Sequence, residues 1–366
     1  MFEQIEKPTL LLDEAKVRRN IQRMSDKVKQ AGVQLRPHFK THQSAEIGQW
    51  FKEAGVTAVT VSSLDMGAYF IEDGWQDVLV AFPVNLRQIG LINQMAQAAD
   101  LGLLLLDEQT AVSLDNQLEY PVTVWIEIDA GYGRSGIPWQ NQTEINRLAQ
   151  VIVDSQNMTL CGILTHAGNS YSQPSPEAII ELHSQTVSRL HQVHNGLWKV
   201  GIDTAVSIGD TPSCSIATDF AGVDEIRPGN YVFYDLMQWE MGACQEDDIA
   251  VGVACPVVAK YAENYRVILY GGGVHLSKDM MLVDGETSYG RIAFLTNDGW
   301  GKIEPEANVV GLSQEHGIVQ VSPQLFEKIE VGSLLFVLPV HSCMTVDLYR
   351  HYTTLDGKQI TKMRTN

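Results

Sequence analysis

Basic charge is scarce in this chain. Lysine and arginine number 26 against 44 aspartates and glutamates, a net charge of −18. A protein that holds a nucleic-acid backbone needs clustered basic residues to neutralise phosphates, so this balance argues against such a partner. It leaves room for a local anion site, which an acidic shell can surround. Cysteine is sparse as well: Cys161, Cys214, Cys244, Cys255 and Cys343 form no CxxC pair. Their odd number forbids complete intramolecular pairing, and free thiols in a reducing compartment are the simplest reading. Long hydrophobic runs are missing. The most conspicuous, residues 101–106, is far too short to span a bilayer as a helix, and MFEQIEKPTLLLDEAKVRRN holds no apolar signal core. A cytoplasmic protein with no membrane partner is expected. No GxxxxGKS phosphate loop occurs.

What is present is ordinary globular material: 45% hydrophobic and 19% charged residues over 366 positions, enough to bury more than one core. Residues 1–12 read as extended, with a helix from about Glu14 to Gln30. Short β-rich runs then recur at VQLRPHF, VTAVTVS, DVLVAF, LGLLLLD, VTVWIEID, LCGILTH, DTAVSI and VDEIR. Helical stretches separate most of them, among them Ser44–Ala54, Leu86–Ala99, Gln142–Val153 and Pro176–Val193. Alternation of this kind predicts parallel strands joined by βα units, an α/β fold. Eight such runs fit a closed (β/α)8 TIM-like barrel over residues 12–240; a doubly wound sheet is the alternative that periodicity leaves open. After about residue 240 the texture becomes valine-rich, broken by Gly, Pro, Asp and Asn. That predicts a mainly β C-terminal domain, formed by 241–366 with 1–11.

Polar residues gather after the strand runs, where a barrel places its ligands. RPHFKTHQS, residues 36–44, puts Arg36, His38, Lys40 and His42 at one strand end. Lys40 is either a solvated loop lysine or a desolvated amine able to form a Schiff base. The turns IGDTPS and RPGNY carry Gly209, Thr211, Gly229 and Asn230. They are ordinary turns, or backbone N–H groups and a hydroxyl presented to a phosphate. In LPVHSCMTV, His341 and Cys343 offer a nitrogen and a sulfur to a borderline metal such as Zn2+. Two residues apart on an extended segment, both side chains would point the same way. A packed cysteine beside an incidental histidine explains the pair equally well. His316, in SQEHGIV, and His275, in GGGVHLSKD, are further candidates for proton transfer or ligation.

Taken together, these segments resemble the fold-type III pyridoxal-phosphate enzymes related to alanine racemase, in the branch of metal-assisted D-threonine aldolases and D-serine dehydratases. RPHFKTHQS is similar to that branch's lysine segment and EIDAGYGRSG to its arginine segment. THAGNSY, SIGDTPS, RPGNYVFYD, EHG and HSC follow in the family's order, over roughly residues 5–350. The resemblance implies pyridoxal 5′-phosphate on Lys40, with Arg134 near the ring hydroxyl and His166 supporting the ring. Tyr171 or Arg227 would face the ring nitrogen, and Thr211, Gly229 and Asn230 would hold the phosphate. It further implies Zn2+, or Mn2+ or another divalent ion, at His341 and Cys343, and a homodimer. Three departures stand out: Gln43 replaces the usual lysine of KTHK, His275 stands where Lys-Ala is more usual, and the His341–Cys343 segment lacks the aspartate found at the third position in some aldolases.

The resemblance implies a lyase acting on a D-β-hydroxy amino acid. As a dehydratase it would convert D-serine or D-3-hydroxyaspartate to a 2-oxo acid and ammonia, with Lys40 removing the α-proton. As an aldolase it would release glycine and an aldehyde, with His316 or His166 as base. Cys343 favours the dehydratase. An amino-acid racemase and a non-enzymatic cofactor carrier are lesser alternatives, since neither needs the His341–Cys343 pair.

Overall fold

The structure is a computed structural model that describes residues 2–363; the outermost residues of the C-terminal-domain range, 1 and 364–366, lie outside it. The chain divides into two compact units, residues 22–229 and residues 1–21 with 230–366.

In the first unit, eight strands of the described residues run parallel: Gln34–Leu35, Ala58–Val61, Asp77–Pro83, Asp100–Leu105, Val122–Asp129, Met158–Thr165, Ala205–Ile208 and Glu225–Ile226. From Ala58–Val61 onward each pairs with the next in chain order, and Gln34–Leu35 pairs with Glu225–Ile226 at the other end of the path. The two ends of this path then meet. His38 bridges Thr60, the Phe39 N–H donates to the Thr60 carbonyl (2.8 Å), and the Thr60 N–H donates to the Pro37 carbonyl (2.9 Å). The sheet is therefore a closed barrel. Strands covered on both faces need continuous apolar sequence, which is why Leu101 and Leu103–Leu105 are all buried.

The connecting helices begin where side chains cap them. Ser44 accepts from the Ile47 N–H at the start of Ala45–Glu53, and Ser175 accepts from Ala178 ahead of Pro176. Asn141 caps Gln142–Val153, whose bounds match the sequence reading. The Pro176 helix runs past Val193 to Trp198, because buried Leu197 continues its apolar face. Residues 86–88 form a 3-10 turn before the helix Ile89–Ala98.

The second unit is mainly β. Nine strands of the described residues form one sheet, in the order Arg266–Tyr270, His316–Val321, Gly299–Leu312, Arg291–Thr296, Leu334–Leu338, Val251–Tyr261, Thr9–Leu12, His351–Thr354 and Gln359–Thr361. Val251–Tyr261 also pairs with Arg266–Tyr270, so the first six strands close on themselves. Val253, Leu269, Ile292, Val309, Val319 and Phe336 are buried in this unit. Its helices are short; Ser342–Asp347 is the one that matters below. No helix of the described residues is long and apolar enough to cross a membrane.

Candidate cofactor and metal sites

In the barrel unit, the residues singled out from sequence sit at the carboxyl ends of strands. Lys40 follows the closing bridge at His38. Phe39, fully buried, anchors this turn within an aromatic cluster of His42, Phe51, Phe70 and Trp75, at centroid distances of 4.3, 4.9, 4.8 and 5.1 Å. The anchor fixes the backbone on which half-buried Lys40 stands. The Lys40 N–H donates to His38 Nδ1 (3.3 Å), and Gln43 Nε2 donates to the Lys40 carbonyl (3.1 Å). His42 accepts from the Ser44 N–H at Nδ1 and stacks on Phe51, so the second histidine of this motif belongs to the core.

Charge converges on this turn. His38 is held well below its ordinary pKa by burial and then by the positive charges of Lys40, Arg227, His166 and Arg134. His166 is pushed down to about 3 by burial, then by Lys40 and Arg134, against the opposing pull of the Gly209 carbonyl at its Nδ1. Two neutral imidazoles beside Lys40 and two guanidinium groups make a site that favours an anion.

Arg134 is half-exposed, 3.8 Å from Glu127 Oε1 and 5.6 Å from the Tyr132 ring. The loop presenting it is shaped by Asp129 Oδ1, which accepts from the N–H groups of Gly131, Tyr132 and Gly133. GYGRSG has the GxGxxG spacing of a dinucleotide fingerprint, but it leads into the two-residue strand Ile137–Pro138 and not into a helix. The Tyr171 hydroxyl accepts from the Thr211 N–H (3.3 Å). Thr211 Oγ1 is buried with no hydrogen-bond partner among the described residues. Gly229 is required where it stands, since a Cβ there would lie 2.8 Å from the His38 carbonyl oxygen.

Arg227 is buried. Its Nε donates to Ser207 Oγ (2.9 Å) and its Nη2 to the Thr165 carbonyl (2.7 Å). Nη1 lies against Gly209, where a Cβ would come within 2.8 Å of it, and has no acceptor among the described residues. Burial lowers the Arg227 pKa, and Glu225 opposes that fall.

In the β unit, His341 and Cys343 are brought together, though not as their spacing suggested. The segment is not extended. His341 is the N-cap of the helix Ser342–Asp347, and Cys343 lies in its first turn. Asp235 organises the pair: its Oδ2 lies 3.3 Å from His341 Nδ1 and accepts from the Ser342 N–H at 2.9 Å. Burial would lower the His341 pKa, but Cys343 and the Asp235 hydrogen bond outweigh it and raise it to about 9. Asn230 turns its side-chain amide to Asp235 (2.6 Å), Ser342 (3.0 Å) and Cys343 Sγ (3.7 Å). Its side chain is thereby committed, and only its backbone remains for the phosphate role expected from sequence. His316 is exposed at the start of its strand, opposite Tyr270. His275 lies 3.6 Å from Glu315. Among the described residues, no group of three or more His, Cys, Asp and Glu side chains is arranged to hold a metal.

Residues 12–236 match the alanine racemase N-terminal domain, and residues 250–355 match the domain described as "Putative serine dehydratase domain". The chain belongs to the fold-type III pyridoxal-phosphate enzymes. This fold-type III chain is 30% identical to D-serine dehydratase of Dictyostelium discoideum over 376 residues, 96% of this chain and 93% of that protein. It is 29% identical to D-threo-3-hydroxyaspartate dehydratase of Delftia sp. (strain HT23) over 363 residues, 96% and 94% of the two chains. The solved structure of the Delftia enzyme superposes with a TM-score of 0.92 at 28% identity, covering 100% of this chain and 99% of that one. A D-threonine aldolase from Filomicrobium marinum shares the fold, with a TM-score of 0.85 at 19% identity over 99% and 94% of the chains.

The cofactor of the fold-type III enzymes fits the barrel residues. Lys40 supplies the amine, and the cations suit a phosphate and a ring oxygen. Thr211 Oγ1 is a buried polar atom with no hydrogen-bond partner among the described residues. A metal fits His341 and Cys343 only as a two-donor protein site, completed by ligands from outside the protein. Sequence reasoning missed Ser207, Glu225, Asp235 and Ser342. For Glu225 a signal existed, since residues 225 and 227 share one side of an extended run. For Asp235 the local signal is only that of a helix N-cap, accepting from the Gln238 N–H; its contacts to His341 and Ser342 lie 106 and 107 residues away.

Proposed function

We propose that this fold-type III enzyme dehydrates D-threo-3-hydroxyaspartate or D-serine to a 2-oxo acid and ammonia. That it is a pyridoxal-phosphate-dependent lyase acting on a D-β-hydroxy amino acid follows from its family and its near full-length dehydratase relatives. When bound, the cofactor supplies an electron sink for the bond broken at the substrate Cα. The observation that carries the assignment of residues is the convergence of Lys40, Arg134, Arg227 and two neutral histidines at one end of the barrel.

In this reading Lys40 would hold the cofactor through its amine and would serve as the base for the substrate α-proton. Its anchored backbone keeps that amine in place. Arg134 faces the ring hydroxyl. Neutral His166 supports the ring through an orientation fixed by Gly209. Thr211 and Gly229 would hold the phosphate, and the family resemblance adds Asn230 to that role. Arg227 would serve the ring nitrogen through Nη1, while Tyr171, whose hydroxyl receives the Thr211 N–H, would serve the phosphate end. His341 and Cys343 would hold a divalent ion, Zn2+ by its nitrogen and sulfur donors, and that ion would assist departure of the β-hydroxyl. His316, exposed, is a candidate proton carrier. The family resemblance supports a homodimer.

The test is a product assay with D-serine, D-threonine and both D-3-hydroxyaspartate diastereomers. Oxo acid with ammonia is the expected outcome; glycine with an aldehyde would replace this reading with an aldolase. Lys40→Ala should lose turnover and the borohydride-trapped cofactor adduct together. A trapped adduct on another lysine would overturn the assignment of Lys40.

A further inference from the structure

A chain of polar groups runs from half-exposed Asp77 through buried residues to Arg227. Asp77 receives Arg36 through both carboxylate oxygens, from Nη1 at 2.5 Å and from Nη2 at 3.0 Å. Arg36 Nε donates to Glu225 Oε2 (2.6 Å), Ser207 Oγ donates to Glu225 Oε1 (2.7 Å), and Arg227 Nε donates to Ser207 Oγ (2.9 Å). Arg36, Ser207, Glu225 and Arg227 are all buried. The directions of these bonds follow from the groups themselves. A guanidinium only donates, so Ser207 must accept from Arg227 and give its single proton to Glu225. Glu225 thereby fixes the polarity of the serine, and the serine fixes the guanidinium.

The geometry points to Glu225 and Ser207 as positioning residues for the cofactor, acting through Arg227; this rests on the function proposed above. Three features support it. Ser207 and Thr165 hold two of the three guanidinium nitrogens and leave Nη1 as the donor without a protein acceptor. Glu225 places negative charge beside Arg36 and Arg227, 3.9 Å from the latter's Nε, in a region where an unpaired guanidinium would be costly. The charge so retained on Arg227 is among those that keep His38 and His166 neutral. Loss of the relay would let the guanidinium turn, and the field at the Lys40 turn would change with it.

The experiment titrates pyridoxal phosphate into the full-length apoprotein of wild type, Ser207→Ala, Ser207→Thr and Glu225→Gln. It records the dissociation constant, the absorption band of the bound cofactor and its pH dependence, and the melting temperature of the apoprotein. Ser207→Ala should weaken cofactor binding by roughly tenfold or more, as expected for a lost charge-assisted hydrogen bond, and shift the band or its pH dependence. Ser207→Thr, which keeps the hydroxyl, should restore both. A merely structural role predicts a lower apoprotein melting temperature with affinity and band unchanged, and that result would overturn the inference. Should Glu225→Gln fail to fold, the two Ser207 variants decide. A wild-type protein that binds no pyridoxal phosphate would sink the proposed function itself, an outcome distinct from variants that bind like wild type.

Discussion

His166 gives its Nδ1 proton to the carbonyl oxygen of Gly209, and this contact fixes which ring nitrogen carries hydrogen. The imidazole is otherwise surrounded by burial and by the charges of Lys40, Arg134 and Arg227, and it accepts a second proton only near pH 3. In the unfolded chain the same ring titrates near its ordinary value of about 6.5.

A pH dependence of stability follows with a definite sign. Between about 6.5 and about 3 the unfolded chain binds the proton and the folded chain does not. The contribution from His166 is fully present above the unfolded value and is lost as pH falls towards the folded one. Thermal melts from pH 7 to pH 4 should show wild type losing more stability on acidification than His166→Gln, which has nothing to titrate. Parallel losses in the two proteins would show that the ring is not held neutral.

Thr211 gives a prediction with opposite signs for the empty and loaded protein. Its hydroxyl oxygen is buried with no partner among the described residues, so the empty protein carries the cost of a desolvated polar atom. Thr211→Val replaces it with a methyl of nearly the same shape. The apoprotein should be unchanged or stabilised by up to about 1–2 kcal/mol. Binding of pyridoxal phosphate should weaken by roughly tenfold, because a hydrogen bond to phosphate is lost. Melting of the apoprotein and cofactor titration measure the two halves separately. A variant that binds the cofactor as tightly as wild type would remove Thr211 from the phosphate site.

The barrel was legible because its signals are local. Apolar runs such as 101–105 announce strands covered on both faces, and Asn141 and Ser175 mark helix starts by caps that sequence alone displays. Barrel closure was not legible, because it rests on the bridge from His38 to Thr60, which no periodicity reports. In the candidate sites, Lys40 and Arg134 stood out as charged residues after strand runs. The conformation at His341 and Cys343 was misjudged for a physical reason. Period-two logic holds only in extended backbone, and His341 caps a helix without any side-chain capping bond to advertise it. The groups that hold the sites from behind, Asp235 and the Ser207–Glu225 pair, act through tertiary contacts, and sequence alone does not place those partners.

Asp235 supplies the last prediction. Burial alone would depress the His341 pKa, yet Cys343 and the hydrogen bond that Asp235 accepts raise it to about 9. A metal must displace that proton, so affinity for Zn2+ should tighten as pH rises from 6 towards 9. Asp235→Asn removes both the charge and the carboxylate bond. It should therefore move the steep part of the binding curve to lower pH. It should also weaken binding at high pH, where an orienting carboxylate is typically worth about 10–100-fold in metal affinity. Competition against a chromophoric chelator across the pH range gives both quantities. Wild type and Asp235→Asn with superimposable curves would mean that the carboxylate does not tune this histidine, and Zn2+ binding unaffected by His341→Ala would mean that the ion sits elsewhere.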